Sequence, residues 1–151
     1  MHILAFAGAL LWLAFCFAKV EIAIEGPHGW ASSLPTWRLP TSHWASRLFF
    51  GGREATGYHV WLQLFMLGAF HLAYLFAPAR LATEFEILSF FMLFWVIEDF
   101  LWFVLNPAFG LRKFNKANIP WHPHWWGVMP SEYAIFAVIG VVLYVVGERM
   151  T

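Results

Sequence analysis

Charge is what this chain has little of. Asp, Glu, Lys and Arg make up only 12% of its residues, where a soluble domain carries about 25%. Its one cysteine, Cys16, excludes an intrachain disulfide and leaves the redox compartment undetermined. Basic and acidic residues balance at nine each, which argues against nucleic acid as a partner. His-Glu-x-x-His and His-x-x-x-His are missing, and no serine or cysteine nucleophile motif stands in their place. There is no internal repeat and no low-complexity segment.

Apolar and aromatic residues fill the chain instead. It is 61% hydrophobic, with ten Trp and seventeen Phe, and its mean hydropathy is +0.64. A chain of 151 residues cannot hide so much apolar surface from water, so lipid is the expected solvent. Four apolar runs, at about residues 3–24, 56–77, 83–105 and 131–147, predict an all-α fold. The expectation is a single transmembrane domain over residues 1–151, a polytopic integral membrane four-helix bundle. No Lys or Arg precedes the first run, which reads as a retained helix rather than a signal peptide.

Breaks and caps set the boundaries. Gly26-Pro27, Ala77-Pro78 and Asn106-Pro107 end the first three spans. Thr83-x-x-Glu86 has the form of a capping box for the third, and Ser131 is placed to cap the fourth. The fourth span is short, about 25 Å at helical rise, so a locally thin bilayer or covered ends are expected. In the first long connection, Thr41 or Ser42 can cap a short helix over residues 42–50, stopped by Gly51-Gly52. Trp44 and Leu48 share one of its faces, as expected of a helix lying in the headgroup region.

Orientation follows from the basic residues. Lys19, Arg38, Arg47, Arg53, Arg112, Lys113 and Lys116 lie on one side, against Arg80 and Arg149 on the other. The expectation is an inner-membrane protein with both long connections in the cytoplasm and both termini outside.

Alternating spans bring the ends near residues 25, 57, 106 and 131 to one side, where most of the polar residues collect. Glu98 and Asp99 sit inside the third apolar run, where one ionised side chain costs about 2.5–3.5 kcal/mol on insertion scales. Glu98, Trp102 and Asn106 form a helical stripe, and Asp99 projects about 100° away, so the two acids need not share a partner. Glu21 and Glu25, one turn apart, share a face of the first helix. His59, Tyr58 and Gln63 lie at the start of the second span, and His122 and His124 in the second long connection.

Two chemistries fit. In an acid/base site, Glu98 is the principal acid, Asp99 supports it and His59 is its partner. Trp102, Trp95, Asn106, Gln63 and Tyr58 then form the pocket, and a lipid-soluble, isoprenoid- or lipid-like substrate enters from the membrane. In a metal site, Glu98, Asp99, His59, His122, His124, Glu21 and Glu25 are the donors, with Fe, Cu, Mn or Zn the matching ions. Haem or chlorin on His59 or His71 ranks after these metals. The stretch Ile97-Glu98-Asp99-Phe100-Leu101-Trp102-Phe103 resembles the paired-acid motif of membrane-embedded lycopene cyclases, over these residues alone. That resemblance points to proton-initiated chemistry on an isoprenoid.

A purely structural role stands level with catalysis: buried polar side chains also hold membrane helices together, and Glu21 and Glu25 could simply be solvated at the interface. The alternative classes are a structural, cofactor- or pigment-binding subunit of a larger membrane complex or homo-oligomer, and a transporter or proton channel. The channel lacks an inverted repeat and a visible polar path to the far side.

Overall fold

The computed structural model describes residues 3–150. Among the described residues, three helices are long and apolar enough to cross a membrane: α1 (Ile3–Glu25), α4 (Leu81–Leu105) and α5 (Ser131–Met150). The short α2 (Trp44–Phe49) lies in the first connection, and α3 (Gly57–His71) follows it.

The second apolar run does not form the continuous spanning helix expected over 56–77. α3 has 15 residues and passes into a 3-10 turn, Leu72–Leu75. The His71 ring bonds back to Leu67 O at 2.6 Å, occupying a carbonyl of the last α-helical turn as the chain tightens. α3 therefore falls short of the length of the three spanning helices.

Other boundaries moved for identifiable reasons. α2 is capped by His43, whose Nδ1 accepts from Ala45 N at 3.2 Å, and not by Thr41 or Ser42. Gly51 and Gly52, both at positive φ, turn the chain away after it. α4 begins two residues before Thr83, so no capping box forms there. Thr83 Oγ1 instead donates to Pro78 O at 3.0 Å. α5 starts at Ser131 but runs to Met150, and its 20 residues give about 30 Å, longer than expected.

α4 is the centre of the molecule, with α5 and α1 against it. At Gly140 of α5, an added Cβ would lie 2.7 Å from Leu93 Cγ, so the missing side chain is what lets α5 approach α4. Ser89 Oγ donates to Gly140 O at 2.7 Å across that contact. On α1, Ala14 and Ala18 are fully buried, and with Leu10, Glu21 and Glu25 they make the inward face. Small residues at such seams are how membrane helices come close when lipid is as apolar as leucine. Phe94, fully buried, meets Phe17 and Phe70 edge-on at 5.5 and 5.2 Å. Such pairs contribute about 0.5–1.5 kcal/mol each beyond area burial. Large apolar side chains face outward along the helices, among them Leu11, Trp12, Val138 and Val142. An all-helical set of spanning segments with a lipid-facing surface is what such a pattern builds.

The two connections fold back over one end of the helices. In the first, β1 (Arg38–Leu39) pairs antiparallel with β2 (Ala55–Thr56), Arg38 opposite Thr56. In the second, β3 (Trp125–Trp126) pairs with β4 (Met129–Pro130), Trp125 opposite Pro130. Asn106 ties the ends of α4 and α1 together, its Nδ2 donating to Gly26 O at 2.9 Å.

Candidate functional site

A cavity of about 370 Å³ opens beneath these connections, between the ends of α1, α3, α4 and α5. Five carboxyl side chains line it: Glu21, Glu25, Glu98, Asp99 and Glu132. Indoles of Trp30, Trp95, Trp102 and Trp121 form much of the rest of its wall.

Glu98 and Asp99 diverge as their 100° offset requires. Glu98, 1% exposed, turns to α1, where its carboxyl neighbours that of Glu21. Tyr58 donates to Glu21 Oε1 at 3.1 Å, while Glu98 Oε1 has no hydrogen-bond partner. Asp99 turns to α5, accepts from the Tyr133 hydroxyl, and lies 3.2 Å from His122 Nε2.

His122 is the link between Asp99 and α5. Its Nδ1 stands 2.7 Å from Glu132 Oε1, so an almost fully buried imidazole has a carboxylate at each nitrogen. Burial opposes its charge, but the Asp99 and Glu132 carboxylates outweigh burial and hold its pKa above the usual 6.5. Pro120 and Pro123 keep this stretch out of helix, and Ile119 is fully buried beside it, which seats the ring.

The roof comes from the first connection. Trp30 and Ala31 both adopt positive φ, a corner in which Ala31 N donates to the Glu25 carboxylate. Trp30 then stacks on the His59 ring at 4.1 Å, and its indole also lies 4.6 Å from the Arg53 guanidinium. His59 bonds to Thr56 Oγ1 at 2.6 Å and faces Glu25 Oε1 at 3.7 Å. Arg53 reaches Glu132 at 3.8 Å.

The expected site residues are thus mostly gathered. Glu21, Glu25, His59, Gln63, Trp95, Glu98, Asp99, Trp102 and His122 all border the cavity, and Tyr58 touches it through Glu21. Glu21 and Glu25 are not solvated at an interface: they are 6% and 5% exposed. Asn106 does not face the cavity. It is buried as a brace, bonding Gly26 O and accepting from Ala108 N. His124 is exposed and does not join His122, because the backbone after Pro123 turns into the β3–β4 hairpin. Among the described residues, no three His, Cys, Asp or Glu side chains are grouped as a metal ion requires. Six of the seven expected donors, all but His124, ring a space rather than converge on a point.

Sequence reasoning missed Glu132, Tyr133, Arg53 and Trp30. An acid in a helix's first turn complements the helix dipole, so Glu132 carried no distinct signal. Arg53 registered only as a topology charge. One sign was available: Ser131-Glu132-Tyr133 begins the span that must sit beside Asp99 if alternating spans share an end.

Comparison with protein families, curated proteins and solved structures finds no match for this chain.

Proposed function

We propose that the protein is a small membrane-embedded enzyme that transfers protons to and from a lipid-soluble substrate bound in the aromatic-walled cavity. The carrying observation is that two adjacent acids turn to opposite kinds of partner: Glu98 to another carboxyl, Glu21, a pairing that a shared proton would hold, and Asp99 to the Tyr133 hydroxyl with His122 beside it. Neighbouring carboxyls held in different protonation states are the arrangement that general acid–base catalysis uses. Glu98, which lines the cavity and whose Oε1 has no hydrogen-bond partner, is the proton donor, and Glu21 takes up the charge left behind. Asp99 is the acceptor, and His122 with Glu132 and Arg53 balances its charge. Gln63, Trp95 and Trp102 shape the pocket around an isoprenoid- or lipid-like chain, and His59 under Trp30 closes it. Leu48 and Phe49, exposed on α2 yet bordering the cavity, mark an apolar mouth on the membrane side. We place both connections on the cytoplasmic face of an inner membrane, with the termini outside, on the distribution of Lys and Arg.

The test pairs chemistry with spectroscopy. Lipid extracts from cells expressing the wild type and Glu98→Gln are compared for a product present only with the former. Infrared difference spectra of the purified proteins should show a protonated-carboxyl band that Glu98→Gln removes. An unchanged product profile, or a Glu98→Gln spectrum that keeps the band, rejects the assignment.

A further inference from the structure

Between Asp99 and Glu132 the chain has no acidic residue, yet it carries Arg112, Lys113 and Lys116. All three are exposed, and among the described residues none of them forms an ion pair. The first connection differs: its Arg38 meets Glu54 at 2.6 Å, and its Arg53 reaches Glu132 at 3.8 Å. Lys113 Nζ donates to Ala108 O at 2.5 Å, which holds its head beside the chain and leaves two N–H donors for another group.

The fold sets these cations at the edge of the apolar layer. Phe114, inside the cluster, has its ring 5.3 Å from those of both Phe100 and Phe103, and 6.1 Å from that of Tyr133. Phe100 is exposed and lies five residues before the end of α4, about 7.5 Å along its axis. The cluster is thus held against the last turns of an apolar helix, where acyl chains give way to headgroups, rather than extended beyond its end. Phe114 also packs edge-on against Trp125 at 5.5 Å, which brings the β3–β4 hairpin alongside. That hairpin exposes Trp126, Val128 and Met129, and Leu111 is exposed next to Arg112. Large apolar side chains interleaved with unpaired cations suit the boundary between acyl chains and phosphates, since neither water nor a wholly apolar phase accommodates both.

We infer that this surface binds an anionic phospholipid, with the phosphate among Arg112, Lys113 and Lys116 and the acyl chains beside Leu111, Trp126 and Val128. A zwitterionic lipid brings its own cation to the phosphate and gains less from these three. A soluble phosphate compound offers nothing to the exposed apolar side chains. None of these side chains borders the cavity, and the lipid binds whatever chemistry occurs there.

The test uses the purified full chain in a non-ionic maltoside detergent, with bound lipid counted by native mass spectrometry and unfolding scans checking that each variant is folded. Dioleoylphosphatidylglycerol should bind at least about fivefold more tightly than dioleoylphosphatidylcholine, and salt should reduce the difference. Arg112→Gln, Lys113→Gln and Lys116→Gln combined should remove it, while Arg149→Gln, in the last turn of α5 at its other end, should leave it unchanged. The wild-type comparison stands even if a variant fails to fold. Glycerophosphoglycerol, the same headgroup without acyl chains, should not displace the lipid. Equal binding of the two lipids, or a preference kept by the folded triple variant or lost in folded Arg149→Gln, would overturn the inference. So would displacement by glycerophosphoglycerol, which marks a site for a soluble phosphate, or by polyglutamate, which marks a surface for an acidic protein segment.

Discussion

His122 Nδ1 lies 2.7 Å from Glu132 Oε1, and the opposite nitrogen of the same ring lies 3.2 Å from Asp99 Oδ2. One imidazole therefore joins a loop, the middle of the chemistry on α4 and the first turn of α5. Its charge is part of how the fold holds together.

That charge makes stability depend on pH. His122 holds its proton more tightly in the fold than the usual value of 6.5, because the two carboxylates outweigh burial. Its contribution is therefore complete below pH 6.5, and is lost as pH rises through the higher folded value. Thermal unfolding in detergent should show the midpoint falling as pH rises above neutrality, and His122→Gln should flatten that slope. A wild-type midpoint that rises over this range would refute the assignment.

Asn106 is a brace and not a pocket residue. Asn106→Ala would leave Gly26 O and Ala108 N without their bonds to this side chain. The expected cost is about 1–3 kcal/mol. A lowered unfolding midpoint with an unchanged ligand affinity is the expected pattern. Loss of affinity at unchanged stability would place Asn106 in the site after all.

The α4–α5 seam depends on one absent side chain. Gly140→Val would drive a Cβ into Leu93 and should destabilise the chain by about 1–3 kcal/mol. Ser89→Ala, which only removes the hydroxyl's bond to Gly140 O, should cost about 0.6 kcal/mol. Denaturant or thermal series on both variants would show whether this order holds.

At the mouth, Leu48→Lys puts a charge where a lipophilic ligand must pass, without touching the acids. It should raise the KM for a membrane-borne substrate and leave kcat unchanged. A fall in kcat at constant KM would mean that Leu48 acts on the chemistry and not on entry.

The sequence was most legible where one physical constraint acted alone. Long apolar runs at α1, α4 and α5 gave helices near the expected limits, because every backbone group in lipid must bond within its own segment. The 100° offset of Glu98 and Asp99 foretold their separate partners. The second run is not one full helix: the chain tightens after His71, whose ring bonds back to Leu67 O, and apolar periodicity does not encode such a local bond. His124 looked like the twin of His122. Only the hairpin of Trp125–Trp126 with Met129–Pro130 separates them, and that pairing is non-local. Glu132, Arg53 and Trp30 were hidden for the same reason: each has an ordinary local explanation, and only the assembled fold gives it a partner.

The Tyr58 hydroxyl that meets Glu21 belongs to a residue 37 positions later in the chain, and Glu98 comes later still. During synthesis α1 must therefore enter the membrane with two acidic side chains and none of their eventual neighbours. The first helix is a poor lodger in lipid until the rest of the polypeptide arrives. A ribosome stalled before α4 should leave a nascent chain that slips back out of the bilayer or is held by the insertion machinery.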